Sequence, residues 1–397
     1  MLRLAAAADG LLARVRLPGG LVSAQQLHVL ARLANEIGDG RAELTSRGNV
    51  QLRGLTADAA AVLTSELIGA GLLPSLSHDR VRNVLASPLA GLDRGTDLTG
   101  IVRALDAGLC ARPGLAELPG RFLFAVDDGR GDVAGPGADV VATVRADSAV
   151  VNGLSLRCFP GRSAGEGVAG ELRDGIAAAM LALAEAFLDL RAEFGGTAWR
   201  LADLPGGADR ARAAVAARLG LNITPADPGT QQEAGTAPPA RPVGLVAREE
   251  TGGGAEEAAP VRDHPDASAV LLAPLGRLTA VQLTWVAAHL GKREARVTPW
   301  RSVVLPDLAD AAGVLREAAE LGFGTDAASP WLRVTACAGR PGCASALADV
   351  QADAAGFAAR WPGRIVHVSG CARHCGRPAA TEVDVTATSE GYQVAGV

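Results

Sequence analysis

The carboxyl-terminal end of the chain holds four of its six cysteines, as Cys337-Ala-Gly-Arg-Pro-Gly-Cys343 and, after 27 further residues, Cys371-Ala-Arg-His-Cys375. Whatever the fold, it must allow these two loops to share a ligand if they share one. Thiolate pairs with glycine and proline between them can fold back on one soft-metal centre, and four thiolates are the complement of a [4Fe-4S] cluster. Structural zinc is the competing occupant: its ligand pairs are separated by about two to four residues, which the second pair satisfies and the first does not. Disulfides are not expected, because the amino terminus does not read as a secretory leader and intracellular thiols stay reduced. Cys110 and Cys158 stand alone in apolar surroundings and read as small core side chains.

A chain of 397 residues is long for one hydrophobic core, and its 48% apolar content supports two to four compact units. The net charge of -5, with no run of lysine and arginine, argues against a nucleic-acid partner. The longest apolar helical stretch, Gly175 to Leu190, carries Glu185 and Asp189 and falls short of the roughly 20 apolar residues that a membrane crossing needs. A cytoplasmic protein without a membrane span is therefore expected.

The chain opens with a strand over Leu11 to Leu17, a Pro18-Gly19-Gly20 turn and a helix started by Ser23 with Leu27, Leu30, Ala31 and Leu33 on one face. Strands follow within Arg41 to Leu55, then a helix over Asp58 to Leu73. Helical sequence near Val102 to Cys110 precedes a buried strand, Arg121 to Val126, that ends in an Asp127-Asp128-Gly129 turn. Asp139 to Val144 and Ala149 to Leu156 read as strands, Gly175 to Phe194 and Ala208 to Leu219 as helices. Between about Thr224 and Asp266 the composition shifts to Pro, Gly, Ala, Gln and Glu, that of a linker or surface loop.

Beyond that stretch the first half returns in weaker form. Leu278-Thr-Ala-Val-Gln282-Leu283 echoes Leu21-Val-Ser-Ala-Gln-Gln26-Leu27, and Arg296-Val-Thr298-Pro-Trp-Arg-Ser-Val303 echoes Glu43-Leu-Thr45-Ser-Arg-Gly-Asn-Val50. Asp310-Ala-Ala-Gly-Val314-Leu315 matches Asp58-Ala-Ala-Ala-Val62-Leu63, and Pro362-Gly363-Arg364 matches Pro119-Gly120-Arg121. The shared order of these matches implies two pseudo-symmetric halves, whose interface can leave a large ligand cleft. Only the second half carries the cysteine pairs.

The segments Leu44-Thr45-Ser46-Arg47-Gly48-Asn49-Val50-Gln51-Leu52, Arg82-Asn83-Val84 and Leu118-Pro119-Gly120-Arg121-Phe122, together with the cysteine spacing, resemble the sulfite and nitrite reductase superfamily. They run in family order across almost the whole chain. The resemblance implies an α+β, internally duplicated fold: two ferredoxin-like half-domains combined with two α/β lobes in pseudo-twofold arrangement. The half-domains would span 1–73 and 267–325, the α/β lobes 74–223 and 326–397, and 224–266 the linker. Within the superfamily the compact size, the Thr298-Pro299-Trp300-Arg301-Ser302 stretch and the cysteine-rich end resemble the precorrin-3B synthase branch. One departure points the same way. The reductases place two lysines, one residue apart, where this chain has Arg121-Phe122-Leu123, and an apolar Leu123 removes a cation from a small-anion site.

That branch implies oxygen-dependent hydroxylation of precorrin-3A at C20 with γ-lactone formation. The cofactors would be a [4Fe-4S] cluster on Cys337, Cys343, Cys371 and Cys375 and a mononuclear non-haem iron; the partners would be O2 and an unidentified electron donor. The alternative is a sirohaem-dependent sulfite or nitrite reductase, in which sirohaem would fill the cleft. Arg47, Arg82 and Arg121 are the candidates for binding the substrate's acetate and propionate groups, since a guanidinium offers paired donors to a carboxylate. Arg301, Arg373 and Arg377 are weaker candidates, and Asn49 and Gln51 are expected to pair locally at a strand end. None of His28, His78, His264, His289, His367 and His374 forms a two-histidine spacing suited to iron, and His78 and His374 read as structural or supporting groups.

Overall fold

The computed structural model describes residues 2–93, 96–135, 137–157, 166–223, 242–247 and 267–396. The first half-domain contains β1 (Ala5–Ala7), β2 (Gly10–Val15), β3 (Leu21–Ser23), α1 (Ala24–Ile37), β4 (Arg41–Leu44), β5 (Val50–Leu55) and α2 (Ala59–Gly69). An α/β lobe follows: β6 (Val84–Ala86), α3 (Thr99–Cys110), β7 (Phe124–Asp127), β8 (Val140–Val144), β9 (Ser148–Val151), β10 (Leu154–Arg157), α4 (Glu166–Glu193), α5 (Gly207–Leu219) and β11 (Asn222–Ile223). The second half-domain has β12 (Gly244–Val246), β13 (Ala267–Leu272), β14 (Arg277–Thr279), α6 (Ala280–Ala288), β15 (Glu294–Val297), β16 (Ser302–Leu308) and α7 (Ala311–Glu320). The cysteine lobe is made of β17 (Val334–Ala336), α8 (Val350–Arg360), β18 (Val366–Ser369), β19 (Val383–Thr388) and β20 (Gly391–Ala395).

The two half-domain sheets run β1-β2-β5-β4-β14 and β12-β13-β16-β15-β3. Each therefore takes its last strand from the other half: Arg277–Thr279 pairs antiparallel with Arg41–Glu43, and Leu21–Ser23 with Glu294–Arg296. Gly20 makes this exchange sterically possible. Its φ is 73° and a Cβ there would stand 2.0 Å from the Val297 carbonyl oxygen. The following helices start alike, with Ser23 capping α1 through Gln26 and Thr279 capping α6 through Gln282. Leu27, Leu30, Leu283 and Val286, from α1 and α6, lie in one core shared by both halves.

The duplication extends to the lobes. In the first, β6 and β8 flank β7 in parallel; in the second, β17 and β19 flank β18 in the same way. The registers make Val84 the counterpart of Val334, Phe124 of Val366 and Val140 of Val383. Two sequence expectations change. Ala149 to Leu156 is a hairpin of β9 and β10 rather than one strand, because Asn152-Gly153 takes φ values of 46° and 83°, which turn the chain back. Within the stretch read as linker, Gly244–Val246 forms an edge strand on β13; its alternating apolar side chains suit half-buried pairing. Most of that stretch, and Cys158, lie outside the described residues. Among the described residues no helix is long and apolar enough to cross a membrane.

Candidate functional site

The cysteine pairs sit at the carboxyl ends of the parallel strands β17 and β18. Cys337 follows β17 directly: its amide donates to Val368 O (3.0 Å), its carbonyl accepts from Gln351 Nε2 (3.1 Å), and its Sγ accepts from the Gly370 amide (3.1 Å). Cys343 closes the first loop, whose Gly342 carbonyl takes a hydrogen bond from Arg53 Nη2 (2.9 Å). Arg53 is itself held by Asp9 through two 2.9 Å bonds, so the cysteine lobe is pinned to the first half-domain beside its own ligand loop. Cys371 and Cys375 lie on the loop after β18, and that loop is fastened to β19 by Arg377 (2.6 Å) and His374 (3.0 Å) on Asp384. All four are free thiols. No three of the sulfurs come within 4.8 Å of one another, whereas tetrahedral zinc with bonds of about 2.3 Å would hold its thiolates about 3.8 Å apart.

The candidate arginines come from the first half. Arg47 sits on the turn between β4 and β5, half-buried, and donates to the carbonyls of Gly120 and Arg121 (both 3.2 Å). Arg121 is exposed and lies 6.0 Å from the Trp199 ring centre. Arg82 is different. It is 3% exposed, binds both Asp106 oxygens at 2.7 Å and donates to Leu72 O at 2.9 Å. Three of its donors are thus spent inside the protein, on Asp106 and the Leu72 carbonyl, beside a cavity that Arg16 also lines. Leu123 packs with Leu85, Ala125 and Val133 in a small apolar cluster.

Arg16, at the end of β2, was not singled out from the sequence. It is 9% exposed, and its Nε is buried with no partner. Burial, with Arg14, Arg47 and Arg82 nearby, pulls its pKa down to about 10 against the opposing pull of Asp79. Arg47 is lowered likewise, first by burial and then by Arg200, with Arg121 and Arg14 also adding to the fall. Guanidinium groups thus crowd one another here, and one of them keeps a buried Nε without a partner. The sequence sign was Arg14-x-Arg16 immediately before Leu17-Pro18-Gly19-Gly20, which puts both side chains on one face of the strand.

The duplicated half places other side chains at the corresponding positions. The turn Thr45 to Asn49 is reproduced by Thr298 to Ser302: the Thr45 and Thr298 amides each donate 2.9 Å to the carbonyl four residues on, and each threonine Oγ1 accepts from two later amides. In this correspondence Trp300 stands for Arg47, Leu272 for Arg16 and Leu332 for Arg82. All three line a cavity of about 190 Å³. Ser46, beside Arg47, and Gly376, beside Cys375, line it too, so the arginine turn and the cysteine loop face a common space.

The remaining candidates have local roles. Asn49 Oδ1 accepts from the Leu17 amide (2.9 Å), and Gln51 donates to Glu43 (2.9 Å). His78 is buried between Ser75, Ser77 and the Arg112 carbonyl. Among the described residues the one convergent group of possible ion ligands is Asp127, Asp128 and Asp132, with no histidine in it. It is closed internally: Arg130 binds both oxygens of Asp128 and of Asp93, and Asp127 accepts three main-chain amides. Burial raises Asp132 to about 7. The described residues therefore do not by themselves assemble the iron site that the family resemblance implied.

Residues 5–70 match the model of the nitrite/sulfite reductase ferredoxin-like half domain. Along 97% of its length the chain is 27% identical to a precorrin-3B synthase of Sinorhizobium, covering 79% of that protein. It is 35% identical over 127 residues to the ferredoxin–nitrite reductase of Synechococcus elongatus, a match covering 30% of this chain and a quarter of that enzyme. In three dimensions it resembles the NirA protein of Mycobacterium tuberculosis with a TM-score of 0.65 and 20% identity, over 97% of this chain and 73% of that one. The half domain is thus matched at the amino terminus, over residues 5–70, and the fold of the chain is that of the NirA protein.

Proposed function

We propose that the chain is an oxygen-dependent precorrin-3B synthase of aerobic cobalamin synthesis. The observation that carries this reading is similarity to a protein of that name along nearly the entire chain, where the nitrite reductase match is confined to less than a third of it. In this reaction one atom of O2 enters C20 of precorrin-3A and the ring A acetate closes a γ-lactone onto C1. The second oxygen atom leaves as water, with two electrons and two protons taken up from an external donor. Cys337, Cys343, Cys371 and Cys375 would hold a [4Fe-4S] cluster, which when bound supplies single electrons. A buried polar atom left without a partner on β18, Ser369 Oγ, supports a group at that place beyond the protein itself. No step is assigned to a mononuclear iron.

The chain's own contribution is binding and orientation. Arg16, Arg47 and Arg121 would engage the peripheral carboxylates, leaving one acetate able to attack C1 as its anion. Anaerobically reconstituted full-length protein, given precorrin-3A and then labelled O2, is expected to yield a hydroxylactone carrying one labelled atom by mass spectrometry. No labelled product would overturn the assignment. Sirohaem absorption bands at one equivalent in the purified protein would turn it toward the reductases.

Arg16 offers a separate check, because Leu272 already occupies the corresponding place in the second half. Arg16→Leu should leave the thermal midpoint unchanged or higher, since a buried charge is removed. Loss of one charge-assisted contact of about 1.5–3 kcal/mol should weaken precorrin-3A binding about 10- to 100-fold. Wild-type affinity by fluorescence or absorbance titration would remove Arg16 from the binding site.

A further inference from the structure

The two α/β lobes correspond bond for bond up to the point where the cysteines enter. Ser87 follows β6 as Cys337 follows β17: the Ser87 amide donates to Val126 O at 3.0 Å and the Cys337 amide to Val368 O at 3.0 Å. The Asp128 amide then donates to Ser87 Oγ (3.2 Å), as the Gly370 amide donates to Cys337 Sγ (3.1 Å). By the same register Asp127 corresponds to Ser369, Ala125 to His367, Leu85 to Thr335 and Val141 to Asp384.

In the first lobe this region is closed. Asp127 accepts from the amides of Gly129 (2.8 Å), Gly131 (2.9 Å) and Val133 (3.3 Å), so a carboxylate holds the loop after the strand, and Ser87 donates to Asp132 (2.6 Å). In the second lobe the carboxylate is gone. Ser369 stands in its place, wholly buried, with its Oγ unpaired.

The side of the sheet concerned is also changed. Val334, Val366, Val368, Val383 and Val385 pack with α8 residues in one apolar cluster, against which Cys337 also packs, so Thr335, His367, Ser369 and Asp384 lie on the opposite face. The Cys371–Cys375 loop lies over that face, fastened through His374 and Arg377 to Asp384. His367 is wholly buried; its Nδ1 pairs with Thr335 Oγ1 at 2.8 Å, and its Nε2 faces the Cys375 main chain without a bond of ordinary geometry. Where the first lobe has Leu85, Ala125 and Val141, the second has the polar Thr335, His367 and Asp384. A buried hydroxyl without a partner costs roughly 1–3 kcal/mol, so the position favours an acceptor from outside the protein chain.

We propose that Ser369 is a positioning residue for the cluster: its hydroxyl donates a hydrogen bond to a cluster sulfur on the side covered by the Cys371–Cys375 loop, at the place where the first lobe has the Asp127 carboxylate. The first lobe supplies the anion from its own chain; the second supplies a donor and receives the anion. The inference rests on the cluster reading above. A donor to cluster sulfur favours the reduced, more negative state, so it raises the reduction potential.

The test is an EPR-monitored redox titration of the reconstituted full-length protein, with iron and acid-labile sulfide measured on each sample. Ser369→Ala is expected to keep wild-type iron and sulfide and shift the midpoint to more negative potential, while Ser369→Thr, which keeps the hydroxyl, stays nearer the wild-type value. A wild-type midpoint in Ser369→Ala overturns the proposal while leaving the cluster reading intact. Absence of iron and sulfide from the reconstituted wild type overturns both. The metal-free protein gives a second reading: without the cluster, Ser369→Ala should melt at the same or a higher temperature, since it loses an unpaired buried hydroxyl. A clear drop would mean that the hydroxyl has a partner within the chain, and would equally overturn the proposal.

Discussion

Cys375→Ser is expected to lose iron, acid-labile sulfide and conversion of precorrin-3A together, each falling to near background. Cys375 is the most exposed of the four thiols and lies on a loop fastened to β19 by the Asp384 contacts of His374 and Arg377. The loop has few other means to keep a cluster once one thiolate is replaced by a harder oxygen ligand. Cys110→Ser is the matched control. Cys110 ends α3 beside Asp106 and Arg82, away from both cysteine loops, and burial raises its pKa, so it is an inert thiol. The measurement is iron and sulfide content with activity on the same samples. Retention of a full complement of both in Cys375→Ser would remove that residue from the ligand set.

Arg82→Ala should produce the largest loss of stability among the arginine variants, about 3–5 kcal/mol, because it leaves Asp106 as a carboxylate without its buried partner. It also frees the Leu72 carbonyl. In the sequence Arg82 looked like a substrate ligand, and the two roles separate cleanly. A binding arginine removed from the patch weakens affinity and spares the fold, as expected for Arg16→Leu; a wall arginine lowers the urea midpoint first. If Arg82→Ala unfolds with the wild-type midpoint yet binds precorrin-3A weakly, Arg82 returns to the list of ligands. An Arg82→Ala, Asp106→Ala double variant less destabilised than the sum of the single ones would measure the coupling directly.

What could be read from the chain alone followed from how local each determinant is. Cys337 to Cys343 and Cys371 to Cys375 are ligand pairs in adjacent turns, so spacing was enough to single them out. The duplication was visible because Ser23 with Gln26 and Thr279 with Gln282 are local caps that survive divergence. The ion pair of Arg82 was hidden because Asp106 lies 24 residues away on another element. Arg16 was hidden for the opposite reason: its distinguishing property is the lack of a partner, which no sequence pattern records. The exchange of β3 and β14 between the sheets was equally invisible, since each strand is only three residues long and its partner lies more than 200 residues distant.

That exchange has a consequence for how the protein is made. While the ribosome is still synthesising the second half, β4 has an open edge, because the strand that covers it begins at Arg277. Such an edge is a template for pairing with other chains. Completion of either half-domain sheet depends on contacts between distant parts of the chain, which form slowly. The nascent amino-terminal half therefore carries an unpaired strand edge until Arg277–Thr279 has been made.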